Sequence, residues 1–274
     1  EGVDGLHVLQ AADDDWIVLP VMCRTVGSQT AAVTVKRAVP DMDFVVEQGN
    51  RLWGCKYGIV NGEAVNEIYA SKLGDFRNWN SFAGLSTDSY AASRGSDGVF
   101  TGAAACMGGV IFFKEDCMER VYPSAAGAHQ IVTVRCPGIR KGCGGSAALV
   151  DGTLFYVGVN GVYAFDGSMP SCVSQPLGSV RYAGAAAAGW NGQYWLAARD
   201  EAGGRHVLVY DTAHGLWHRQ DDADIMAFAV CGGALYGLTR SGALLDLTGG
   251  SGEPEETVRW MAETGELGLS LIHI

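Results

Sequence analysis

The fold class this sequence predicts is all-β: a β-propeller, open or incomplete, of about five four-stranded blades, preceded by the remnant of a small β domain. Three observations predict it. Glycine makes up 39 of 274 residues, about twice its usual share, which implies many tight turns between short strands. Five segments share one pattern: GNRLW (49–53), GGVIF (108–112), DGTLF (151–155), NGQYW (191–195) and GGALY (232–236). Apolar strands precede all five, and four of these strands are rich in alanine.

The elements follow in order. Residues 1–40 contain a strand-like stretch ending in TAAVTVKRAVP and are read as the remnant of an N-terminal β domain, joined at Pro40 to a propeller at 41–268. Each repeated segment begins with a two-residue turn of Gly, Asn or Asp, residues that accept positive φ and fit the type I′ hairpin. The turns start at 49, 108, 151, 191 and 232, giving steps of 59, 43, 40 and 41. All but the first step lie near the roughly 40 to 50 residues of a four-stranded blade, so the first blade carries an insertion. Blades are expected at roughly 42–99, 101–143, 147–181, 185–222 and 226–260.

The strands before the turns are FVVE (44–47), GAAAC (102–106), AALV (147–150), AAAAGW (185–190) and MAFAVC (226–231). Alanine suits innermost strands, which converge on a narrow axis where only small side chains fit. After each hairpin comes a third strand: EIYAS (67–71), ERVYP (119–123), GVYAF (161–165), HVLVYD (206–211) and ALLDL (243–247). Two of these lead through a polar turn to a tryptophan, in IYASKLGDFRNW and LVYDTAHGLW. The shared positions are Asp75 and Trp79 in the first, and Asp211, Gly215 and Trp217 in the second. Asp211 is expected to bond turn amides, Gly215 to supply the turn and Trp217 to pack between neighbouring blades. The scheme resembles the outer hairpin of kelch and related blades.

Composition excludes several functions. A net charge of −11 and a pI near 4.9 oppose nucleic-acid binding, which needs clustered Lys and Arg. No apolar run approaches the roughly 18 residues of a membrane span, and no signal peptide opens the chain. A soluble protein not exported by that route is expected. The eight cysteines (23, 55, 106, 117, 136, 143, 172 and 231) form no CxxC pair and read as reduced core thiols.

Sharper chemistry finds little support. His206, Asp211, His214 and His218 crowd one stretch, but His214 and His218 lie in turn then strand, where four positions span about 13 Å; no metal site is expected. AADDDW (11–16) and QDDADI (220–225) lack the spacing of a calcium loop and read as solvated hairpin tips. GGSGEPEE (249–256) lacks the Lys and Ser or Thr of a phosphate loop. No G-x-S-x-G elbow occurs, and SRGSDGVF (93–100) and YDTAHGLW (210–217) fail the spacing of sialidase boxes. No catalytic residue and no cofactor is expected, and the 26 aromatic residues read as core by default.

Taken together, NRLWGCKYG and NEIYASKLGDFRNWNSFAGLSTDSYAAS (within 50–93), FFKEDCMERVYPS (112–124), LVDGTLFYVGVNGVYAFDGSMP (149–170), VYDTAHGLWHR (209–219) and VRWMAETGELG (258–268) resemble a family of structural proteins encoded in prophages of Gram-positive gut bacteria. The resemblance runs from about residue 32 to residue 268. It implies a virion or tail-associated component, assembled in the bacterial host cytoplasm, whose partners are portal, tail or connector proteins. It implies no catalytic residues. The alternative is a host-surface module that lays carbohydrate across a propeller face.

The chain opens at Glu1 without Met, and LSLIHI (269–274) resembles the translation of a sequencing-library adapter. A piece of a longer protein is therefore expected, stopping where another blade should begin. Unpaired blade edges in such a piece should promote oligomers or aggregation.

Overall fold

The computed structural model describes residues 39–249, apart from 61, 125 and 126, and the pairs 11–12 and 17–18. LSLIHI, most of GGSGEPEE and the last four residues of AADDDW lie outside the described residues. The chain divides into two compact units, Glu1–Lys36 and Arg37–Ile274. In the first, β1 (Ala11–Ala12) pairs antiparallel with β2 (Ile17–Val18).

The second unit is a series of antiparallel meanders. The first sheet holds β3 (Phe44–Glu47), β4 (Leu52–Val60), β5 (Glu63–Ala70) and β6 (Tyr90–Ser93). The second holds β7 (Gly102–Cys106), β8 (Gly109–Phe113), β9 (Cys117–Tyr122) and β10 (Gln130–Arg135). The third holds β11 (Ala148–Val150), β12 (Thr153–Gly158), β13 (Gly161–Phe165) and β14 (Ser171–Cys172). The fourth holds β15 (Tyr182–Trp190), β16 (Gln193–Asp200), β17 (Arg205–Asp211) and β18 (Leu216–Asp221). The fifth holds β19 (Ile225–Cys231), β20 (Ala234–Thr239) and β21 (Leu244–Asp246). The only helix among the described residues is a 3-10 turn at Gln175–Leu177.

The five repeated turns occupy equivalent places, each joining the first strand of a sheet to its second. Their paired positive φ values are 61° and 58° at Gly49–Asn50, 47° and 83° at Asp151–Gly152, 50° and 71° at Asn191–Gly192, and 59° and 83° at Gly232–Gly233. These are type I′ angles. One boundary needs correction. In the second sheet the turn is Met107–Gly108, with φ 51° and 73°, so it starts one residue before the expected Gly108–Gly109. Gly109 instead opens β8, where a Cβ would come within 2.6 Å of the Val121 carbonyl oxygen.

First strands of successive sheets are neighbours: β3 beside β7, β11 beside β15, and β15 beside β19. Their approach is close. Gly145 and Ala186 form a parallel bridge, and the Ala187 amide donates to the Gly145 carbonyl at 2.9 Å. A Cβ on Gly189 would lie 2.2 Å from the Leu149 carbonyl oxygen. Small side chains at these positions are thus a packing requirement, as expected for the inner strands of propeller blades.

Apolar layers fill the spaces between sheets. Trp53, Ile68, Val110 and Phe112 join the first and second; Phe113, Tyr156, Tyr194 and Leu196 link the second, third and fourth; Trp195, Val207, Val209 and Leu235 join the fourth and fifth. The architecture is a β-propeller arrangement. The first sheet carries the expected insertion, a long connection at 71–89 between β5 and β6. The fifth sheet has three strands among the described residues, and the end of its expected span, 250–260, lies outside them.

Candidate functional site

The two Asp–Trp segments come out differently. In the fourth sheet, Asp211 ends β17 and its Oδ1 accepts from the Ala213 and His214 amides at 2.9 and 3.2 Å. Gly215 has φ 68°. Trp217, on β18, donates through Nε1 to the Val173 carbonyl at 2.8 Å and packs on Tyr210 and Tyr194 at 4.9 and 6.4 Å between ring centres. Because Val173 follows β14, this tryptophan fastens the outer hairpin of one sheet to the sheet before it.

In the first sheet the corresponding Asp–Trp segment, GDFRNW, makes a local turn. Asp75 Oδ1 accepts from the Arg77 amide at 3.2 Å, and Trp79 Nε1 donates to the Phe76 carbonyl at 2.9 Å. Trp79 is buried, but it lies in the 71–89 connection and not on an outer strand. The expected equivalence of Asp75 and Trp79 with Asp211 and Trp217 is corrected accordingly.

The histidines pair with nearby carboxylates one at a time. His214 Nδ1 lies 2.7 Å from Asp211 Oδ2, and His206 Nε2 lies 2.9 Å from Asp200 Oδ2. The imidazole contact, with the turn amides, holds the Asp211 carboxyl below the usual carboxylate range. His206 does the same for Asp200, assisted by the Gly204 amide. Among the described residues no three His, Cys, Asp or Glu side chains converge as metal ligands. QDDADI is not simply a solvated hairpin tip. It links the fourth sheet to the fifth, and Asp224 accepts from Arg199 at 2.6 Å.

Three buried charged groups had no signal in the sequence. Arg51, next to the first turn, donates to the carbonyls of Ser71, Asp88 and Ser86 at 2.7, 2.6 and 2.7 Å. Lys114 Nζ donates to Asn66 Oδ1 and to the Ser96 carbonyl at 3.2 and 2.7 Å, over the Phe100 ring. Burial lowers the proton affinity of Lys114, with nearby acidic groups opposing. Glu119, fully buried, takes hydrogen bonds from Arg94 and Thr133. Arg51 fastens the first sheet's own 71–89 connection, whereas Lys114 and Glu119 tie the second sheet to the first sheet and to the loop that joins them.

The outward side of the fifth sheet is of another kind. Leu235, Gly237 and Thr239 of β20 are buried, while Leu238, which alternates with them, is exposed. Leu238 stands directly opposite Leu244 of β21, so both rise from one face. They are 37% and 67% exposed.

No protein-family model matches the chain, and no curated protein matches it. Among solved structures, the crystal structure of BamB from Moraxella catarrhalis aligns with 73% of this chain and 67% of its own, with a TM-score of 0.38 and 11% identity.

Proposed function

We propose that this chain is a phage structural protein, tail or head–tail associated, that acts as a protein–protein assembly scaffold. The observation that carries the assembly reading is the apolar outward face of the fifth sheet. Between the other sheets, equivalent faces are covered by neighbouring blades, whereas Leu238 and Leu244 meet solvent beside β21, which has no further strand among the described residues. Exposed apolar side chains set side by side on one sheet face favour association. The resemblance to prophage-encoded structural proteins supplies the class of partner: portal, tail or connector components. No catalytic step belongs to this reading.

The test is direct. Particles purified from an induced lysogen carrying this gene should contain the protein by mass spectrometry. The Leu238→Asp, Leu244→Asp double variant should fold yet be depleted from those particles. Particles that lack the wild-type chain would refute the virion assignment, and equal incorporation of the variant would refute this face as the contact.

A further inference from the structure

A cavity of about 390 Å³ lies between the fourth and fifth sheets, at the end of the strands away from the type I′ turns. Its charged lining is unusual for so acidic a chain. Arg199 of β16 and Arg205 of β17 stand directly opposite each other in the ladder, so both side chains rise from one face, and both line the cavity. Like charges in that relation are destabilising. Arg240, which follows β20, adds a third guanidinium from the fifth sheet.

Only one carboxylate lines the same space. Asp224 Oδ2 lies 2.6 Å from Arg199 Nη2 and 3.5 Å from Arg240 Nε. The two acidic residues that follow Arg199 are engaged elsewhere. Asp200 takes His206 and the Gly204 amide, and Glu201 pairs with Arg140. The Arg205 side chain makes no hydrogen bond or ion pair among the described residues. Three guanidinium groups therefore face one carboxylate, in a chain whose formal net charge is −11. The floor beneath them includes alanines of β15 and β16, whose short side chains leave the space unfilled.

We infer that this cavity binds a small organic carboxylate, its charged end on Arg205 and Arg240 and its compact body over the alanine floor. The inference stands apart from the assembly reading. A guanidinium fork matches the two oxygens of a carboxylate, and the ligand's charge relieves the Arg199–Arg205 repulsion. The volume is in the range of ordinary ligand sites, roughly 300 to 1,000 Å³. Inorganic phosphate, hydrated on every side, has no apolar part to place against alanine.

The experiment is calorimetric titration of the full chain with glucuronate and with cyclohexanecarboxylate, with glucose and inorganic phosphate as controls. Saturable binding of at least one carboxylate is expected, with glucose silent and phosphate weaker. Arg205→Ala should weaken that binding about tenfold or more, as loss of a charge-assisted contact does. The same variant, without ligand, should unfold at the same temperature as wild type or higher, because a like-charge pair is relieved. Several results would overturn the inference: no binding of either carboxylate, equal binding of glucose, tighter binding of phosphate, or a variant with unchanged affinity. A lower unfolding temperature for free Arg205→Ala would make the residue structural and overturn it too.

Discussion

Arg51 is the residue on which the first sheet's long connection depends. Its guanidinium satisfies three carbonyls contributed by residues 20, 35 and 37 positions away, and Asp88 in turn accepts from the Leu85 amide and Ser81 hydroxyl. Arg51→Met would strand those carbonyls in a buried place, and the expected loss is about 3 kcal/mol or more. Urea unfolding should show that loss, and hydrogen exchange should rise first within 71–89. Arg51→Lys should recover less than half of it, since one ammonium cannot reproduce the planar fork. A loss below about 1 kcal/mol for Arg51→Met, the ordinary worth of one hydrogen bond, would show that the connection holds itself. The same distances explain what was legible. Asp211 bonds amides two and three residues on, so its role is written locally; Arg51 acts across 37 residues, and no local pattern encodes that. Asp75 and Trp79 show the opposite error, in which a matching string serves a different element.

At the level of elements, the turns were the most readable part of the chain because a type I′ turn constrains residue type strongly. Gly–Asn, Asp–Gly, Asn–Gly and Gly–Gly dipeptides marked four of the five correctly. The fifth was displaced because two glycines follow Met107, and the second is required by the Val121 carbonyl of β9, a contact no turn rule contains. Met107 is therefore left with φ 51°, a left-handed conformation that costs an ordinary side chain about 1 to 2 kcal/mol. Met107→Asn should relieve part of that strain and raise the thermal midpoint by about 2 to 4 °C for each kcal/mol recovered. Met107→Val, β-branched, should lower it. A midpoint that falls for Asn would mean that the side-chain packing of Met107 outweighs its backbone strain.

Across the whole molecule, the buried thiols and phenols set how stability responds to alkali. Of the expected core thiols, Cys55, Cys106, Cys117, Cys136 and Cys143 are buried, while Cys172 is half-buried and Cys231 exposed. Composition forecast the burial of the class but could not separate members, since β19 looks as apolar in sequence as β7 and differs only in what covers it. Burial pushes Cys117 and Cys143 each from 9.0 up to about 11, and it raises Tyr156 and Tyr194 as well. The sign follows from linkage. Between 9 and 11 the unfolded thiols have lost protons that the folded ones keep, so the stabilisation present below pH 9 is lost as pH rises through 11. Each such group contributes a slope of about 1.4 kcal/mol per pH unit at most. Lys114 acts in the other direction. Burial lowers its value from 10.5, the unfolded chain holds that proton longer, and stability gains with pH just below 10.5. One lysine is outnumbered by the buried thiols and phenols, so the net stability should fall. Urea midpoints at pH 8 and pH 10.5 should therefore differ clearly, and the Cys117→Ala, Cys143→Ala double variant should show a shallower fall than wild type. Equal falls in the two proteins would remove Cys117 and Cys143 from the account and leave the alkaline lability to the other buried thiols and the tyrosines.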